Sequence, residues 1–335
     1  MDRAMSDSVW LTMNTTSGAE SREGVPLTNL DQPLFDGAGA TKRDLVEYLD
    51  GVRERILPVL EDRPLSVIRV HRGQEAFMQK NVPKYTPPWV RTVQWWAESS
   101  KRDVSYALCN DRRTLLWFAN QRAIEYHPAL VRVDRPDRIT HVVLDLDPPE
   151  ADAFPMAVRA AHAVREALTD VGLTGAVKTS GAKGLHVFVP IDMEASMEDS
   201  AAATRAIARR AERLDPDIAT TAFVKAERAG KVFVDSTRVG GATVIAAYSP
   251  RARPGVPVSF PVAWDDLDDI TPADFTMHTA LRQLGDRDPW GEDMPDPQQL
   301  SSELIEEGHA IPVARVQAMH EGKRRARAAR DGTNG

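Results

Sequence analysis

The segment HVVLDLDPPE (141–150) decides how this chain folds. Side chains alternate across a strand, so Asp145 and Asp147 share one face while Leu146 turns to the core. Pro148 and Pro149 cannot continue a hydrogen-bonded ladder, so the strand ends there and leaves both carboxylates at its rim. Two hard anionic groups at this spacing suit Mg²⁺ or Mn²⁺ clamped jointly with substrate phosphates. Alone, Asp-x-Asp reads as readily as a solvated strand end.

Working outward, the pattern predicts a strand at 140–146, a helix across 155–169, strands at 175–179 and 185–190, and a helix over 196–214. Strands near 232–235 and 242–247 follow. Strand, helix, paired strands, helix, strand is the order of a split βαβ unit, an antiparallel sheet backed by helices on one side. Towards the N-terminus, Thr41 caps a helix whose apolar positions run from Leu45 to Leu60. Strand-like runs are read at 65–70, 105–108 and 114–118. Residues 1–24, rich in Ser, Thr and Met, are expected to be disordered. Residues 25–295 are read as one α/β (α+β) catalytic domain. Residues 296–335 are read as a helical segment ending in the basic stretch GKRRARAAR (322–330).

Three more segments carry chemistry. In KTSGAKGLHVFVP (178–190) a strand enters a Ser-Gly-Ala-Lys-Gly turn and leaves as an apolar strand bearing His186. Gly181 and Gly184 permit close backbone approach, which lets amides and Lys183 face phosphate oxygens. A strand follows, not a helix, so this is no Walker loop. In KAERAGKVFVDSTRVGG (225–241), Asp235 ends an apolar strand among cations; a structural ion pair is the plain alternative. In YSPRARPG (248–255), Arg251 and Arg253 offer planar forks suited to phosphate. Acid pair, phosphate turn, third acid and arginines together fill the roles of metal-assisted phosphoryl transfer.

Composition sets the bounds. The 335 residues are 42% hydrophobic and 27% charged, ordinary for a globular protein with a real core. Cys109 is the only cysteine, which excludes an internal disulfide and a multi-cysteine zinc site and fits the cytoplasm. Neither a membrane span nor a signal peptide is expected. The net charge of −7 argues against a nucleic-acid partner, but its distribution argues the other way. Between Ala222 and Arg253 six cations face only Glu227 and Asp235, while acid gathers in WDDLDD (264–269) and over 286–307. A basic cleft on an acidic body fits this pattern; so does scattered solvated charge.

The segments DLDPP, KTSGAKGLHVFVP, KVFVD and AAYSPRARPG resemble the three catalytic motifs of the LigD-type polymerase domain, in the archaeo-eukaryotic primase superfamily. The similarity runs from about Leu27 to about Trp290. No adenylation lysine motif appears, so the chain resembles the stand-alone actinobacterial members, primase-polymerases that work with a separate ATP-dependent ligase and with Ku. The resemblance implies a composite primase-polymerase fold with an RRM-like catalytic sheet and a smaller N-terminal α/β part. It implies a nucleoid-associated polymerase using two Mn²⁺ or Mg²⁺ ions and favouring ribonucleotides, which fills short gaps or extends broken ends in DNA. By position, Asp145, Asp147 and Asp235 become metal ligands. Ser180, Lys183, His186 and Arg251 hold the incoming NTP or dNTP, with Arg228 nearby. Lys42, Phe77 and Lys80 become DNA contacts, the last two in FMQK (77–80).

Three segments depart from the family pattern. NLDQ (29–32) places Gln32 where a 5′-phosphate-gripping lysine is usual, Met78 replaces an aromatic, and Ser236 and Val239 replace an aromatic and an asparagine. Two other classes compete: a DNA end-bridging or ligase-recruiting module with little synthesis, and a metal-dependent nuclease or glycosyl transferase. The second explains the acids but not the Ser-Gly-Ala-Lys-Gly-Leu-His turn.

Overall fold

The computed structural model describes residues 20–313 apart from 72, 98–100 and 240–242. In chain order the N-terminal part contains β1 (Ser21–Arg22), β2 (Val25–Pro26), α1 (Lys42–Gly51), α2 (Arg53–Leu60), β3 (Leu65–Arg69) and β4 (Phe77–Gln79). It continues through β5 (Thr92–Ala97), β6 (Arg102–Ala107), α3 (Arg112–Asn120) and β7 (Ala123–Pro128). Strand β3 is central here, pairing antiparallel with β4, β6 and β7, while β5 extends the sheet beyond β6. Thr41 caps α1 through a full capping box with Asp44, as the sequence predicts.

The second half opens with the ribbon β8 (Val131–Arg132) and β9 (Arg135–Ile139) and continues with β10 (His141–Asp147), α4 (Phe154–Thr169), β11 (Ala176–Thr179) and β12 (Leu185–Pro190). Then come α5 (Met197–Leu214), β13 (Ala219–Thr220), β14 (Val232–Asp235) and β15 (Pro261–Val262). Their sheet has the order β13-β14-β10-β12-β11-β15. Strands β10 and β11 run parallel with β12 antiparallel between them, which is the split βαβ arrangement. Helices α4 and α5 pack on each other and on β10. Val142, Leu144 and Leu146 are fully buried on one face of β10. Alternation puts Asp145 and Asp147 on the other.

Short helices α6 (Ala280–Leu284) and α7 (Pro289–Asp293) lead to α8 (Ser302–Ala310), which packs on α5. That contact is close: a Cβ on Gly308 would lie 1.9 Å from the carbonyl oxygen of Ala202. Among the described residues no helix is long and apolar enough to cross a membrane.

Four expectations need correction. Residues 114–118 are helix, not strand. Asp111 caps α3 by accepting from Thr114 N, and Leu115 to Ala119 are buried all round, which erases the helical period. The helix expected over 41–60 breaks at Val52 into α1 and α2. The stretch 243–247 runs beside β7 but makes one bridge, Thr243 with Ala129, instead of a ladder. The N-terminal boundary at residue 24 falls inside a hairpin, since Ser21–Arg22 pairs with Val25–Pro26. Residues 1–19 and the basic stretch 322–330 lie outside the described residues.

Candidate active site

Cα register places Asp235 opposite Asp145, His186 opposite Asp145 on the other side, and Lys178 opposite His186. Directly paired residues of antiparallel strands project from the same face. One line of polar side chains, Asp235–Asp145–His186–Lys178, therefore crosses β14, β10, β12 and β11. Asp147 stands on the same face at the rim, paired with Phe233.

Each member is held by the next. Asp145 Oδ1 lies 3.3 Å from His186 Nε2, and its Oδ2 accepts from Arg238 Nε at 3.0 Å. Arg238 Nε is also 3.4 Å from Asp235 Oδ2, so one guanidinium spans two carboxylates. Asp235 Oδ1 accepts from the Thr237 backbone at 2.8 Å and its hydroxyl at 2.6 Å. At the far end Lys178 Nζ lies 2.9 Å from His186 Nδ1 and donates to Ser259 Oγ at 2.6 Å.

Electrostatics follow from burial and this row. Burial, reinforced by the adjacent Lys178, pushes His186 down to about 4, so the ring is neutral at pH 7. Burial and the nearby Arg251 push the Lys178 amine well below the usual lysine range. Burial works to raise Asp145, but the groups on either side of it outweigh that and hold it well below the carboxylate range. With His186 neutral, the fixed charge that keeps Asp145 ionised is Arg238. Asp147 moves the other way, raised by burial and by Asp145.

The donor set fits a hard divalent cation: three carboxylates from two adjacent strand ends, already drawing one cation, Arg238, between them. In this arrangement no three His, Cys, Asp or Glu side chains among the described residues stand together at metal-binding spacing. The guanidinium fills the gap between Asp145 and Asp235.

The Ser-Gly-Ala-Lys-Gly turn lies beside the row. Ser180 Oγ accepts from the amides of Ala182 and Gly184, both at 3.2 Å. Gly181 has φ +65°, and a Cβ there would meet Arg251 Cγ at 2.7 Å. Gly184 is needed for space: its Cβ would lie 2.0 Å from the Leu146 carbonyl oxygen. Lys183 Nζ donates to the Pro148 carbonyl, which ties the turn to the end of β10. Arg251 donates to the Ser180 carbonyl at 2.7 Å and sits 3.2 Å from Glu125 Oε2 on β7. Ser180, Lys183, His186 and Arg251 are thus brought together with Asp145, Asp147 and Asp235.

Arg228 stands at the border. Its guanidinium lies 3.7 Å from the centre of the Phe233 ring and donates to the carbonyls of Ala222 and Phe223. The three residues expected at DNA sit on the N-terminal part. Phe77 is 37% exposed at the sheet edge with the Arg69 guanidinium 5.9 Å from its ring centre, and Lys80 follows it, exposed. Lys42 is buried, donating to the Thr28 carbonyl and Asn120 Oδ1, both at 2.6 Å. Burial and Arg122 lower it to about 8. It lines a polar cavity of about 210 Å³ with Gln32, Arg69, His71 and Arg122. Sequence reasoning missed Lys178, Glu125 and Ser259. Lys178 has a signal, a lysine at an inward position of an apolar strand; the other two have none.

An acid row on the face of a split βαβ sheet turned away from its helices, with a glycine-lysine turn beside it, defines a class of site, and comparison with known proteins identifies the family. The family model described as LigD, primase-polymerase domain, matches residues 41–290. The multifunctional non-homologous end joining DNA repair protein LigD of Mycobacterium tuberculosis is 35% identical over 278 residues, 80% of this chain and 35% of that protein. The bifunctional non-homologous end joining protein LigD of Bacillus subtilis is 34% identical over 262 residues, 77% of this chain and 42% of that protein. The polymerase domain of M. tuberculosis Ligase D, solved in complex with DNA, superposes with a TM-score of 0.73 at 34% identity, covering 81% of this chain and 99% of that one. The chain belongs to the LigD primase-polymerase domain family, a nucleotidyltransferase domain. It spans between about a third and two-fifths of the length of these curated relatives.

Proposed function

We propose that this chain is a DNA-dependent nucleotidyl transferase that extends a primer 3′-OH with NTPs or dNTPs, favouring ribonucleotides, in short gap filling or break repair. The observation that carries the reading is the row Asp235–Asp145–His186, laid beside the Ser180–Gly184 turn in a member of this family. Asp145, Asp147 and Asp235 would hold two divalent ions, Mn²⁺ or Mg²⁺. Such ions supply the charge that lowers the pKa of the primer hydroxyl and neutralises departing pyrophosphate.

The chain's own groups do the rest. Lys183 and Arg251 bind the triphosphate from two sides of the turn. Neutral His186 offers one N–H towards the α-phosphate side of the row. The primer oxygen attacks the α-phosphorus in line, the bond to the β-phosphate oxygen breaks, and Arg251 and Lys183 receive the added negative charge. Phe77 supplies a stacking face and Lys80 a backbone contact for the template strand.

The relatives' names bring non-homologous end joining into the proposal; a separate ATP-dependent ligase and Ku are the partners that the resemblance implies. Gln32 in the polar cavity favours gaps over 5′-phosphate-dependent end capture. There Lys42 already donates to Thr28 and Asn120, and Arg69 to Gln79 and Gln121. The test is extension of a primed, gapped duplex with Mn²⁺ and either nucleotide type, beside an Asp145→Ala/Asp147→Ala control. Templated products that vanish in the control support the reading. DNA binding without extension supports end bridging, and strand shortening supports a nuclease. Removal of the 5′-phosphate from the gap is expected to change affinity less than about threefold. A much larger loss contradicts the role given to Gln32.

A further inference from the structure

Lys178 is fully buried, with no carboxylate in ion-pair reach among the described residues, yet the function above gives it no task. Burying an amine in a sheet core is costly unless its hydrogens find acceptors, and here Nζ has two hydrogen-bond partners. The Ser259 hydroxyl gives its own hydrogen to the Thr179 carbonyl at 2.8 Å, so it can only accept from Lys178 at 2.6 Å. The other partner of Nζ is His186 Nδ1, 2.9 Å away, where a second Nζ hydrogen has an acceptor if the ring nitrogen carries none.

We propose that Lys178 is a positioning residue that fixes His186 as its Nε2–H tautomer, aimed along the row at Asp145 and the phosphate side of the site. A ring whose Nδ1 accepts from Lys178 carries its one hydrogen on Nε2, which lies 3.3 Å from Asp145 Oδ1. The opposite tautomer would turn an Nε2 lone pair towards a carboxylate. Ser259 anchors Lys178 from the segment that follows Arg251, so the orientation of His186 is tied to the same loop that carries the arginine. The ring is thereby set as a donor before any nucleotide arrives.

The tautomer rests on geometry alone; its consequence for nucleotide binding rests on the function proposed above. The test uses the full chain with ¹⁵N-labelled histidine, free of metal and nucleotide, with His186 assigned through His186→Asn. The long-range ¹H–¹⁵N spectrum is expected to show Nε2–H at His186. Lys178→Met is expected to give mixed tautomers, and Lys178→Gln, which keeps a donor, to restore Nε2–H. On a gapped duplex the Met variant is expected to raise nucleotide KM about tenfold, the scale of one lost hydrogen bond, with kcat changed less than about threefold. The Gln variant is expected to recover most of that loss. If the Met variant does not fold by thermal melting, Ser259→Ala is measured in its place against the same criteria. A Met variant that keeps a pure Nε2–H ring and a wild-type KM overturns the inference. A wild-type protein that extends no primer overturns the proposed function, while the spectrum still decides the tautomer.

Discussion

Arg238 brings a positive charge between two carboxylates from neighbouring strands, bonding Asp145 and lying within ion-pair distance of Asp235. A divalent ion entering the same gap must displace it, so the residue sets metal affinity by competition. Arg238→Gln is therefore expected to bind Mn²⁺ about tenfold more tightly in the absence of nucleotide, read by the loss of free-ion paramagnetic resonance signal. Unchanged affinity would mean that the guanidinium swings aside freely. At this scale the sequence was legible where alternation or chain rigidity fixes direction. Asp145 and Asp147 share a face because a strand alternates, and Pro148 and Pro149 end it. The partnership of Asp145 with Asp235 was not readable from spacing, because register between distant strands depends on how the sheet assembles. Glu125, which braces Arg251 from the other sheet, gave no signal for the same reason.

The element that places the triphosphate groups is the turn between β11 and β12, and its shape depends on Gly184 more than on Lys183. A methyl group at that position collides with the Leu146 carbonyl of β10. Gly184→Ala is expected to destabilise the fold by about 1–3 kcal/mol, measured by urea unfolding, because backbone and not a flexible side chain must give way. A change within about 0.5 kcal/mol would show that β10 and the turn are less tightly fitted than they stand here. Helices α4 and α5, each with one solvated face, and strands β10 and β12, short apolar runs, fall where the pattern puts them. Helix α3 was misread because burial on all sides leaves an apolar run with no period, and Asp111, its N-cap, was the available sign. Strands β4, β5 and β7 went unread; β7 takes its partner, β3, from far along the chain, whereas β4 and β5 pair with strands close in sequence.

For the whole molecule, two neutral histidines, His186 buried and His141 half-buried, make stability depend on pH. Burial and the nearby Arg63 push His141 to about 3, against an ordinary value of 6.5. The unfolded chain takes up that proton near 6.5 and the folded chain only near 3. The stabilisation is therefore complete above 6.5 and is lost as pH falls from there towards 3. His186, held near 4, acts in the same direction. His141→Asn is expected to flatten the decline in urea midpoint below pH 6.5 without abolishing it, and an unaltered slope would contradict the burial argument. The overall charge of −7 concealed the basic segment around the site, so a sum over the chain was a poorer guide to its partner than the order of its motifs. The central claim is that Asp235 works with Asp145 and Asp147 in one nucleotidyl-transfer centre. Its most direct test is Asp235→Asn, which preserves size and the bonds to Thr237, assayed for extension of a primed gapped duplex with Mn²⁺. Extension at least about a hundredfold below wild type, with folding and gap binding intact, is the expected result. Extension close to the wild-type rate would contradict the account.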